Sequence, residues 1–161
     1  MSQHSEMSGR WAVEPPARPC LPITGHQALY PVHRIYCVGK NYAEHAREMG
    51  SSGHEKPCFF AKPADAVTTS AEVPFPRMTE NLHHEAELVV AMGKACRNIP
   101  ASEALAHVFG YAAGVDLTRR DLQTEAKGQG RPWTTAKGFD HSAPISPIRS
   151  VEEGGHPHDA A

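Results

Sequence analysis

Residues 82–94, LHHEAELVVAMGK, constrain this chain more than any other stretch, because an acidic pair heads an apolar run rich in valine. Such a run suits a strand, whose side chains alternate between faces with period two. Glu85 and Glu87 therefore share one face, while Ala86 and Leu88 take the other. Two carboxylates side by side repel, and the pair becomes favourable when a hard divalent cation sits between them. The segment is either a solvated strand face carrying two acids or a candidate metal site, and the spacing alone leaves both open.

At 161 residues the chain suits one domain with a real core. A formal net charge of −2 gives no basic footprint, which argues against a nucleic-acid partner. The N-terminus lacks a basic region followed by an apolar one, and no run of about 18 apolar residues occurs, so a soluble, cytoplasmic protein with no membrane partner is expected. Cys20, Cys37, Cys58 and Cys96 are scattered, without the close spacing of a zinc ribbon or a redox dithiol. Histidine is abundant, but His4, His156 and His158 lie in polar surroundings near the ends and read as surface residues.

Three regions follow from the pattern along the chain. Residues 1–31 are proline-rich and aperiodic, as an extended arm lying over a core would be. Residues 32–149 carry the periodic segments. HRIYCVG reads as a short buried strand and NYAEHAREMG as helical turns stopped by Gly50. CFFAKPADAVTTS gives a strand, a Lys-Pro turn and a second strand. PASEALAHVFGYAAGVDL gives a Ser102-capped turn and then a strand of small residues. TRRDLQTEAKGQG reads as a helix ended by Gly128 and Gly130, and RPWTTAKGFDHSAPISPI as a loop with one strand. Residues 150–161 are polar and glycine-rich and are expected to be disordered.

Further groups could carry chemistry. His45 and Glu48, three apart on a helical turn, would sit side by side; a carboxylate raises imidazole basicity and fixes its tautomer, as a water-activating base requires. An ordinary surface pair has the same spacing. Asp116 ends an apolar run and is either a third oxygen ligand or a cap for the following helix. Arg120 and Gln123, with Lys137 beyond the glycine turn, offer cationic and amide donors to a carboxylate or oxyanion, or form a solvated helix face. GQGRPW, with no strand leading into it and no clear helix after it, is a loop rather than a phosphate cradle.

In order and spacing, RIYCVGKNYAEHAREMG, CFFAKPADAV, LHHEAELVVAMGK, GYAAGVDLTRRDLQ and GRPWTTAKGFDHSAPI resemble consecutive motifs of the fumarylacetoacetate hydrolase family. Within it they are most similar to small bacterial acylpyruvate hydrolases of the fumarylpyruvate hydrolase type. The resemblance covers about residues 31–148. It implies a mostly β, α+β fold, a mixed β-roll with short peripheral helices, and a homodimer. It also implies magnesium or manganese, with calcium a further candidate, held by Glu85, Glu87 and Asp116. His45 and Glu48 would be the water-activating dyad and Lys137 a catalytic group stabilising negative charge, while Arg120, Gln123 and Lys62 would hold the substrate.

The implied reaction is hydrolysis of a carbon–carbon bond in a small 1,3-diketo acid, releasing pyruvate; related members decarboxylate oxaloacetate or isomerise keto acids. Members of the family continue past the SAPI segment into further strands and a Gly-Thr-Pro loop, which has no counterpart in SVEEGGHPHDAA. Truncation is therefore expected, and with it a second reading: an inactive fragment serving at most as a metal-binding or subunit-interaction module.

Overall fold

The structure, a computed structural model, describes residues 11–39 and 56–158. The described residues form nine strands, β1 (Cys20–Pro22), β2 (Leu29–Pro31), β3 (Ile35–Gly39), β4 (Cys58–Lys62), β5 (Val67–Thr68), β6 (Leu82–Met92), β7 (Val108–Arg119), β8 (Ala143–Pro144) and β9 (Arg149–Ser150). Among the described residues three short α-helices accompany them: α1 (Arg120–Gly128), α2 (Thr134–Lys137) and α3 (Val151–Gly154). The expected mostly β, α+β class is observed. No helix among the described residues is long and apolar enough to cross a membrane.

The antiparallel β6–β7 ribbon organises the rest. Its register pairs Glu85 with Asp116 and Glu87 with Gly114, so the alternation in β6 continues across the ladder. Asp116 lies inside β7 rather than at its end, as the ribbon runs on to Arg119. β9 pairs with β7 at Gly110 and Tyr111. A Cβ on Gly110 would stand 2.4 Å from the Arg149 carbonyl oxygen, so glycine is needed for this close approach. β3 pairs with β4, and β5 runs parallel to β8.

The core is small-grained: Leu21, Val32, Ala66, Ala91, Ala112, Ala143, Ile145 and Ile148. The expected arm over residues 1–31 carries regular structure in its described part. β1 and β2 pair with each other, Leu21 enters the core at 2% exposure, and Val32 donates its N–H back to the Pro19 carbonyl. Proline is tolerated here because Pro22 and Pro31 each close a three-residue strand, where a missing N–H costs the ladder little.

The polar tail is also ordered across its described part. Thr24 N–H bonds to the Ile148 carbonyl and Ile148 N–H to the Pro22 carbonyl, joining the two ends of the described chain. The Ser150 hydroxyl accepts from Glu153 N–H and caps α3, and His156 shares a 2.7 Å hydrogen bond with the Tyr111 hydroxyl. Composition failed as a guide because a cap and a docked imidazole need no apolar periodicity. Two smaller corrections concern local structure. The turn at Ala101–His107 is 3-10, entered from Pro100 without a side-chain cap, so Ser102 is not its N-cap. The loop expected across residues 131–148 contains α2, a single turn too short to show a period.

Candidate active site

Alternation in β6 sets the site. Glu85, Glu87, Val89 and Ala91 are partly or fully buried, while Ala86, Leu88 and Val90 face outward. Because Asp116 is directly opposite Glu85, all three carboxylates share the inner face. They line an open cavity of about 1170 Å³ together with Lys62, Arg120, Gln123 and Lys137. Seven of the nine residues singled out from the sequence therefore meet in one place. The other two, His45 and Glu48, lie outside the described residues.

Apart from Glu87, the charges on this face bracket one another. Lys137, 2% exposed, sends its ammonium to Glu85 Oε2 at 2.7 Å, Asp116 Oδ2 at 2.6 Å and Thr118 Oγ1 at 2.6 Å. Arg120, at the first position of α1, donates to the other Glu85 oxygen and to Gln123 Oε1. Lys62, at the end of β4 and 3% exposed, donates to the backbone carbonyls of Leu117 and Lys137. Its Nζ also lies 2.8 Å from Asp116 Oδ1. With the two carbonyls, Asp116 Oδ1 gives this ammonium three acceptors for its three hydrogens. Lys62 is thus turned toward the protein rather than toward the cavity.

Titration behaviour separates the two glutamates. Burial pushes the Glu85 carboxyl up, but hydrogen bonds and charge from Lys137 and Arg120 outweigh it and hold the group below the ordinary glutamate value. Glu87 is raised, by burial first and then by repulsion from Asp116 and Glu85. Burial lowers Lys62 against the pull of Asp116. Burial, then the charge of Asp116, pushes the Cys37 thiol up to about 11, which leaves it protonated and unreactive.

The donor set fits a hard divalent cation. Three carboxylates share a face, and one of them, Glu87, is destabilised by burial and by the charge of the other two. Among the described residues, however, no three His, Cys, Asp or Glu side chains are gathered closely enough to hold a metal, because the Lys137 ammonium stands between two of the carboxylates.

Sequence reasoning missed Thr118 and Cys37. Thr118 is fully buried and supplies the third acceptor for Lys137; standing two residues after Asp116 on the same strand, it was findable from the period of two. Cys37 follows likewise from alternation in β3, which turns it toward Asp116 and Lys62.

The profile of the family described as fumarylacetoacetate (FAA) hydrolase C-terminal matches residues 34–161. Among curated proteins, an uncharacterised protein from Pyrococcus horikoshii is 49% identical over 115 residues, 71% of this chain and 50% of that one. Bovine mitochondrial oxaloacetate tautomerase FAHD1 is 46% identical over 126 residues, 78% of this chain and 57% of that one. Among solved structures, fumarylpyruvate hydrolase from Pseudomonas aeruginosa in complex with Mn2+ and pyruvate is 48% identical, with a TM-score of 0.88. That alignment covers 92% of this chain and 66% of the other. The chain thus spans between half and two thirds of the length of these proteins.

Proposed function

This chain belongs to the fumarylacetoacetate hydrolase family, and on that footing we propose that it carries the site of a divalent-metal-dependent hydrolase acting on an acylpyruvate such as fumarylpyruvate and releasing pyruvate. The observation that carries the reading is the convergence of Glu85, Glu87 and Asp116 with Arg120, Gln123 and Lys137 in one cavity. A relative of 48% identity, solved with Mn2+ and pyruvate, supports the choice of ligands.

Glu85, Glu87 and Asp116 would hold Mg2+ or Mn2+, with Ca2+ admitted by the same oxygen-ligand chemistry. Such an ion, when bound, polarises keto and carboxylate oxygens and lowers the energy of an enolate. Arg120 and Gln123, already joined at the mouth of α1, would bind the substrate carboxylate. Lys62, locked inward on the Leu117 and Lys137 carbonyls, would contribute by setting the position of this wall. His45, oriented by Glu48, would take the proton from a water attacking the distal carbonyl. Cleavage of the carbon–carbon bond then leaves its electron pair on the pyruvate fragment as an enolate, whose charge Lys137 faces until a proton reaches carbon.

A second reading is favoured by the bovine relative named as an oxaloacetate tautomerase: proton transfer through the same enolate, without attack by water. Two ultraviolet assays separate the readings, loss of the fumarylpyruvate diketone absorbance and interconversion of oxaloacetate enol and keto forms. Each is run with chelator, Mg2+ and Mn2+. Metal-dependent loss of the first signal supports the hydrolase, and the second alone supports the tautomerase. Neither signal with either metal would reduce the chain to a metal-binding or subunit-interaction module. A homodimer belongs to the same proposal and is tested by sedimentation velocity.

A further inference from the structure

Lys137 occupies the position in which charge neutralisation by a divalent ion would be required. Its ammonium has three hydrogens and three acceptors, Glu85 Oε2, Asp116 Oδ2 and Thr118 Oγ1, all between 2.6 and 2.7 Å. Arg120 takes the remaining Glu85 oxygen. Asp116 Oδ1 faces the Lys62 ammonium at 2.8 Å, which leaves Glu87 as the carboxylate of the three without a salt bridge among the described residues. A hard cation that also needs Glu85 and Asp116 must share their oxygens with the Lys137 ammonium.

We infer that in the metal-free protein Lys137 is a resident counter-cation, holding Glu85 and Asp116 in place and competing with the divalent metal for them, so that metal entry displaces its ammonium into the cavity. The inference rests on the metal site proposed above and adds a role for this chain's own lysine. An ammonium sharing two carboxylate oxygens with a divalent ion would be strongly repelled by it. A second resting place exists: the Lys137 Nζ is already 5.0 Å from the centroid of the Phe60 ring, which lines the same cavity. The backbone need not move, because Lys137 closes α2 and its carbonyl stays anchored by Lys62 and by the Ser142 hydroxyl. Metal binding would thus do two things at once, occupying the carboxylates and turning a cation toward the substrate.

The test is a Mn2+ titration of the metal-free chain, followed by the electron paramagnetic resonance signal of free Mn2+, for wild type, Lys137→Met and Thr118→Val. Removing the competing charge should tighten Mn2+ binding by roughly tenfold or more in Lys137→Met. Thr118→Val removes one of the three acceptors with little change in shape and should tighten binding in the same direction by less. It therefore decides the matter if Lys137→Met does not fold. Without metal, Lys137→Met should melt below wild type, and saturating Mn2+ should raise its melting temperature by more than it raises that of wild type. If wild type binds Mn2+ and both variants bind equally or more weakly, Lys137 is not a competitor, although the metal site stands. If no variant binds, the metal site fails and takes the inference with it.

Discussion

The two faces of the β6–β7 ribbon invert the usual sorting of side chains. The inner face carries Glu85, Glu87, Asp116 and Thr118 with two lysines that are 2% and 3% exposed, whereas the outer face of β6 shows Leu88 at 56% and Val90 at 47% exposure. Val89 and Ala91 anchor the far end of this face in the core, but at Glu85 and Glu87 hydrophobic burial does not favour the observed choice. What holds the observed choice is mutual satisfaction. Each buried cation has at least two acceptors, and Lys62 and Lys137 share Asp116. Such an arrangement is weak evidence for stability but strongly resists the removal of one member. The inner face is therefore expected to be sensitive to substitution, and the outer face tolerant.

The largest expected effect comes from Asp116→Ala. It leaves Lys62 and Lys137 buried without their shared partner, and an uncompensated buried charge costs about 3–5 kcal/mol. Urea denaturation in chelator measures this, and a loss under about 1 kcal/mol would mean that water reaches both ammoniums. Lys62→Met should cost less, about 1–3 kcal/mol, because Asp116 keeps Lys137 while the Leu117 and Lys137 carbonyls lose a donor. A double-mutant cycle between the two substitutions should return a coupling energy well above the noise of independent sites.

The contrast between the faces was only partly legible in the sequence. Alternation put Glu85 and Glu87 together and Leu88 apart, because a strand's period is a local property. Placing Asp116 opposite Glu85 needs the ladder register, which no single strand contains, and only the family resemblance anticipated it. The inward lock of Lys62 was not legible at all. Its carbonyl partners are 55 and 75 residues away, so the same Lys-Pro turn could equally have offered its amine to the cavity. The tail was misjudged for a related reason: His156 is ordered by Tyr111, 45 residues upstream, and a polar contact of that range leaves no pattern in composition.

pH sharpens the comparison within the inner face, because its two glutamates should respond with opposite sign in chelator. Glu85, held below the ordinary value of 4.5, contributes stability that is present above that value and lost as pH falls through its depressed pKa. Glu87, raised above 4.5, contributes stability that is present below that value and lost as pH rises through its raised pKa. Glu87→Gln should therefore melt higher than wild type at neutral pH, with the difference shrinking toward pH 4, and the same variant should weaken Mn2+ binding. A melting difference that does not vary with pH would show that Glu87 is not strained by its neighbours.

The smallest effect is expected on the outer face, from Leu88→Thr. Leu88 is more than half exposed, its cross-strand partner Ala113 is also exposed, and threonine brings a β-branched side chain that suits a pleated surface. Little apolar area returns to water, so the change should stay within about 0.5 kcal/mol, as for surface positions with no special feature. Urea denaturation at two protein concentrations makes the measurement decisive. A loss above about 1.5 kcal/mol that grows with concentration would mean that a second copy covers this face, since mass action links stability to assembly. The inversion would then belong to the monomer alone, with Leu88 and Val90 serving as an interface core.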